Sequence, residues 1–152
     1  MEAQAVDLPI APASPRRAPE REPGEIPQAI DFRYMIHKIH AGAELENGYI
    51  VVGHNGSIND FSHVEFPGDL RACDTCHVND SYELPLSANL EMVTTPRDYF
   101  TPMGPTQAAC LSCHDNQAAA VHATSNANEL GEACAACHGP GKTYAVEKVH
   151  AR

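Results

Sequence analysis

All six cysteines of the chain fall in three copies of one pattern: Cys73-Asp-Thr-Cys76-His77, Cys110-Leu-Ser-Cys113-His114 and Cys134-Ala-Ala-Cys137-His138. Each copy reads C-x-x-C-H, the attachment signature of a c-type haem. Two thiols one helical turn apart can add to the two vinyl groups of a haem. The histidine that follows then points at the iron as proximal ligand. Thioether bonds are permanent, so a haem is retained even in a shallow, solvent-exposed site. The pattern therefore predicts three covalently bound c-type haems. Cys73, Cys76, Cys110, Cys113, Cys134 and Cys137 would be the thioether residues, and His77, His114 and His138 the proximal ligands. No cysteine is left over for a disulfide.

Rival uses of paired cysteines fit poorly. A zinc ribbon needs two pairs that converge, which strands the third. A thioredoxin-like redox pair needs a βαβ setting that the chain lacks. Neither accounts for a histidine after every second cysteine. The motifs are not a solenoid repeat, because 37 residues separate His77 from His114 and 24 separate His114 from His138.

The sixth ligand decides what a haem iron can do: histidine closes it at low potential, methionine raises the potential, and an open position permits catalysis. The chain has four methionines and nine histidines, six of the latter outside the motifs. Bis-histidine ligation at every iron is the economical reading. The distal candidates are His37, His40, His122 and His150, with His63 in reserve. His37 and His40 are three apart and share a helical face upstream of the first motif. His122 follows His114 closely and is expected to reach a neighbouring haem rather than its own. His54, in a Gly/Asn turn, is expected at the surface or as a hydrogen-bond donor to a propionate. Three distal positions face four good candidates. The surplus histidine would ligate a haem in another subunit or in another part of a larger protein.

Tryptophan is absent and aromatic residues make up 6% of the chain, so the ordinary apolar core must be thin and buried cofactor must supply hydrophobic mass. A formal net charge of -10 argues against the basic face that nucleic acid requires; it suits a solvated surface first, and docking to basic protein patches second. No run of about 18 apolar residues is present, so no transmembrane helix is expected. No apolar signal region precedes the motifs, and none follows Arg16-Arg17. Haem is attached to this motif outside the cytoplasmic membrane. A leader missing from this numbering, a processed chain or a fragment is therefore expected, with an extracellular, cell-surface or otherwise periplasmic location.

The expected fold is mostly irregular with short α-helices, a multihaem cytochrome c wrapped around three haems with little β-sheet. Residues 1–29 carry six of the twelve prolines and are expected to form an extended arm; residues 30–152 would be the trihaem domain. A helix is predicted over 31–40, with Asp31 as N-cap and Gly42 as stop. A strand is predicted at 49–52 and a turn at 53–56. Residues 80–106 read as proline-rich loop. Short helices are expected at 107–113, 116–123, 131–138 and 143–150.

Beyond spacing, the segments DFRYMIHKIHAG, FSHVEFPGDLRACDTCHV, ACLSCHD with AAAVHA, and EACAACHGPGKTYAVEKVHAR resemble the C-terminal part of the OmcA/MtrC family, the decahaem cytochromes c of the outer surface of metal-reducing bacteria. The resemblance covers about Asp31 to Arg152. It implies bis-histidine haems and electron export to minerals, flavins or partner cytochromes, with His37, His40, His122 and His150 as the matching histidines. Family members carry ten haems in two modules with β-barrel domains between. Three motifs point instead to a truncated module or a small cytochrome that stacks end to end.

The expected function is single-electron transport along bis-histidine haems in extracellular or periplasmic electron transfer, with no catalytic residue of the chain's own. Other cytochromes or redox proteins are the expected partners. A filament in which one subunit lends a distal histidine to the next is a version of this reading. The alternatives are a multihaem reductase with one open iron, acting on metals, flavins or small oxyanions, and a relay subunit of a larger membrane-associated complex.

Overall fold

The computed structural model describes residues 28–95 and 98–151. Almost all of the expected proline-rich arm, 1–27, lies outside the described residues.

Helix α1 (Phe32–Ala41) starts and stops where its sequence directs. The Asp31 carboxylate accepts the Arg33 N–H at 3.0 Å, meeting one of the donors that a first turn leaves unpaired. The Arg33 side chain, then burial in opposition, then the Arg33 amide act on Asp31, and the net result holds its carboxyl below 3.8. Gly42 ends the helix at φ 32°, returning its N–H to Lys38 O. A Cβ at that position would run into the Val64 carbonyl, so glycine is required for fit as well as conformation. Tyr34, Lys38 and Ala41 form the buried stripe of α1.

Strands β1 (Ile50–Val52) and β2 (Ile58–Asp60) form an antiparallel hairpin, with Val51 opposite Asn59. The expected Gly53–Gly56 turn closes it, with Asn55 at φ 58° and Gly56 at φ 77°. The core is as thin as the composition suggests: Ala29, Tyr34, Tyr49, Val93 and Ala108, ringed by partly buried Met35, Ile39, Leu45, Val51, Phe61 and Met103. Tyr49 is its keystone. Its hydroxyl donates to Ala29 O at 2.7 Å, and its ring meets Tyr34 edge-on and stacks on Phe61.

The 80–106 segment is not all loop. β3 (Val93–Thr95) pairs antiparallel with β4 (Asp98–Met103). The β-branched run Val93-Thr94-Thr95 overrides the proline signal, with Val93 and Thr95 buried and Thr94 exposed. Pro102 is tolerated in β4 because a strand in a two-stranded sheet leaves one edge outside the ladder.

α2 (Pro105–Leu111) and α3 (Gln117–Ser125) follow, the latter capped by Asn116, whose side chain accepts the Ala119 N–H at 2.9 Å. α1 packs on α2, and α2 on α3. The helix expected over 131–138 shrinks to α4 (Ala135–His138). Ahead of it, β5 (Ala127–Asn128) and β6 (Gly131–Glu132) pair as a tight hairpin, because Asn128 accepts the Leu130 N–H and Gly131 takes φ 137°. The helix expected over 143–150 is α5 (Val146–Val149), starting late because Ala145 is extended. Sheet is limited, among the described residues, to three two-stranded pairs. No described helix is long and apolar enough to cross a membrane.

Candidate functional site

The three C-x-x-C-H motifs sit in different surroundings: a 3-10 turn at Cys73–Thr75, the end of α2 and the whole of α4. Their backbones are nonetheless the same. His77, His114 and His138 each donate their amide to the carbonyl of the motif's first cysteine at 2.9 Å. The second cysteine donates to that same carbonyl at 3.2 Å in all three. One carbonyl thus gathers both, placing two thiols and an imidazole around a single turn. None of the six thiols is in a disulfide.

Each motif histidine faces one histidine from elsewhere in the chain. His37 lies against His77, ring centres 5.9 Å apart and planes 10° apart. His150 lies against His114 at 5.9 Å and 50°. His122 lies against His138 at 6.0 Å and 85°. His122 therefore meets the third motif and not the second, which precedes it by a few residues. Among the described residues, no group of three or more His, Cys, Asp or Glu is arranged to hold a metal ion. The histidines come in pairs.

Ring orientation is fixed from behind. His37 Nδ1 donates to Arg33 O at 2.7 Å, and His150 Nδ1 donates to Val146 O at 3.0 Å, each one turn back on its own helix. His138 Nδ1 donates to Tyr144 O at 2.9 Å. A carbonyl only accepts, so in these three rings Nδ1 carries a proton and Nε2 is the nitrogen left to bind a metal. His77 Nδ1 lies 3.2 Å from Ser81 Oγ. Burial, with His77 and His40 beside it, holds His37 below its ordinary pKa of 6.5. Burial and His150 do the same to His114. Both therefore favour the neutral form, the one that can bind a metal.

The remaining candidates stand apart. His40 packs on Phe66, ring centres 5.1 Å apart. The His63 side chain is 90% exposed, with Asp60 at 3.9 Å. His54 is exposed in its turn.

The motifs are neighbours of one another. Burial raises the Cys110 thiol to about 11, helped by nearby Cys134, Glu132 and Cys113. Burial also raises the Cys113 thiol, and Cys73 lies close enough to add to it. A cavity of about 180 Å³ is lined by Cys73, Arg71 and Tyr82 on one side and His150 on the other. A cleft of about 1160 Å³ opens beside Cys134, with Leu84, Leu86, Leu111, Ala120 and Met103 in its walls. The second motif thus lies close to both the first and the third.

Two polar contacts that sequence reasoning missed tie these parts together. Lys38 Nζ pairs with Asp115 Oδ2 at 3.0 Å, the side chains 2% and 8% exposed. Asp115 also accepts the Glu46 and Asn47 amides at 2.9 Å. Glu132 accepts the amides of Thr106 at 2.9 Å and Gln107 at 2.6 Å, capping α2 from 26 residues away.

Residues 14–151 match the family described as outer membrane cytochrome MtrC/MtrF-like, domains II/IV. The match spans all three motifs and every paired histidine, and it begins inside the proline-rich stretch. Comparison with curated proteins and with solved structures returned no match. The family consists of electron-transfer cytochromes, which implies c-type haems, redox proteins as partners and a cell-surface or extracellular setting. With 14–151 of its 152 residues matched, the chain belongs to the MtrC/MtrF-like outer membrane cytochrome family.

Proposed function

We propose that the chain is a trihaem c-type cytochrome in which every iron is held between two of its own histidines, and that it carries single electrons along the three sites. The pairing of each motif histidine with one other ring is the observation that carries this reading. With metal–nitrogen bonds of about 2 Å, two imidazoles on opposite faces of one iron bring their ring centres to about 6 Å. The observed 5.9, 5.9 and 6.0 Å fit that spacing.

When bound, haem supplies a reversible one-electron couple at iron. The chain supplies everything around it. Cys73 and Cys76, Cys110 and Cys113, and Cys134 and Cys137 would form the thioethers. His77 with His37, His114 with His150, and His138 with His122 would hold the three irons. The carbonyls of Arg33, Val146 and Tyr144 hold three of those rings in the Nε2-ligating tautomer and make them better donors. Two strong ligands leave no place for a substrate, which favours a carrier over a reductase. The net charge of -10 favours docking to basic patches on partner redox proteins.

All three pairs form within one chain, so the expectation of a histidine lent between subunits draws no support from the pairing. A filament would need another basis.

The test is the holoprotein treated with carbon monoxide after reduction. Its mass is expected to exceed the polypeptide by three haems, and its visible spectrum to be unchanged by the gas. Fewer haems, or a carbon monoxide adduct in the native protein, would overturn the reading.

A further inference from the structure

We propose that two polar joints, Lys38 with Asp115 and Glu132 with the first turn of α2, set the spacing between the three redox sites, making Lys38 and Glu132 positioning residues for electron passage. The inference rests on the trihaem reading above and assigns a role to groups which that reading leaves unused.

Each joint spans one boundary between neighbouring sites. The first ties α1, which carries His37 of the first pair, to the residue that follows His114 of the second. The second ties α2, which carries Cys110, to Glu132, two residues before Cys134. Besides these joints, the parts are linked by the packing of α1 on α2 and α2 on α3 and by very small sheets. Supporting contacts of this kind decide whether a site is held to within a fraction of an ångström.

Stability alone does not explain either joint. A buried ion pair is often replaced by apolar residues without loss, because two charges must first be stripped of water. What it retains is direction: the pair ties α1 to Asp115, in the short segment between α2 and α3. At the other boundary, α2 has no cap of its own, since its N-cap is Gly104. A Cβ on Gly104 would collide with the Glu132 carboxylate. The local cap is absent where the distant one enters. A carboxylate on unpaired first-turn amides is also favoured by the helix dipole.

The experiment uses the holoprotein with all three haems attached, partly reduced, and reads electron exchange across each boundary by two-dimensional exchange NMR. Ligand state is monitored by the low-spin spectrum. Lys38→Met keeps the aliphatic stem and removes the charge. It is expected to slow exchange between the first and second sites severalfold and to leave the second-to-third boundary unchanged. Glu132→Ala should do the reverse, and Glu132→Gln, which keeps an acceptor, should restore part of the loss. Lys38→Arg, which keeps the pair, should stay near the parent. Equal changes at both boundaries in either variant, or none at either, would overturn the proposal. If Lys38→Met does not fold, the Glu132 series decides. Failure of the trihaem reading would show separately, as missing low-spin signals in the unsubstituted protein.

Discussion

Replacing His37 with alanine is expected to open one of the three irons, whereas replacing His40 with alanine leaves all three closed. In the reduced His37→Ala holoprotein, about one third of the haem should bind carbon monoxide, and a matching high-spin fraction should appear in the oxidised form. The two residues are near neighbours on one helix and look interchangeable in sequence. Rotation of α1 separates them. Its buried stripe runs through Tyr34, Lys38 and Ala41. At about 100° per residue, His37 falls beside that stripe and His40 a further step round. His37 therefore reaches His77, while His40 meets Phe66. The potential of the opened site should also rise, because a strong axial donor has been lost. His63→Ala, at an exposed ring, should be silent by the same measurements.

Asp115→Ala is expected to be the most destabilising single substitution away from the ligands, at about 3–5 kcal/mol in denaturant midpoints. Lys38 would remain 2% exposed with its ion partner gone, and the Glu46 and Asn47 amides would lose their acceptor. Asp115→Asn should cost less, since it keeps oxygen for the amides and gives up only the charge. Burial alone would raise the Asp115 carboxyl. The Asn47 amide, the Lys38 side chain and the Glu46 amide prevail, and hold it below 3.8. A folded pKa lower than the unfolded one means that the unfolded chain binds more protons in that window. The contribution of Asp115 is therefore full at neutral pH, and it is lost as the pH falls through the lowered value. Asp115→Ala should remove this acid sensitivity along with the stability.

Local chemistry was legible in the sequence, and tertiary pairing was not. The C-x-x-C-H residues stand out because the haem attachment proposed for them would need them adjacent. Asp31 and Gly42 bounded α1 correctly because caps act within one turn. The β3–β4 hairpin was obscured by the proline-rich composition around it, although Pro102 is accommodated within β4. The helix expected at 131–138 failed for a longer-range reason: Glu132 is engaged with α2, and Gly131 turns the chain before it. No short-range signal marks a carboxylate that caps a helix 26 residues upstream. Lys38 is similar: nothing near it in the sequence marks its pairing with Asp115, 77 residues further on. The sequence left several spare histidines with nothing to rank them by the motif each would face. Choosing among them required knowing which way each helix faces.

The most direct test of the account is electron paramagnetic resonance of the oxidised holoprotein with quantified spins. Three low-spin ferric centres per chain are predicted, and they should differ from one another. The imidazole planes are 10° apart at the first pair, 50° at the second and 85° at the third. Near-parallel planes give an ordinary rhombic signal, and near-perpendicular planes a strongly anisotropic one. A high-spin ferric signal accounting for a third or more of the iron would contradict the assignment of His37, His150 and His122 as distal ligands.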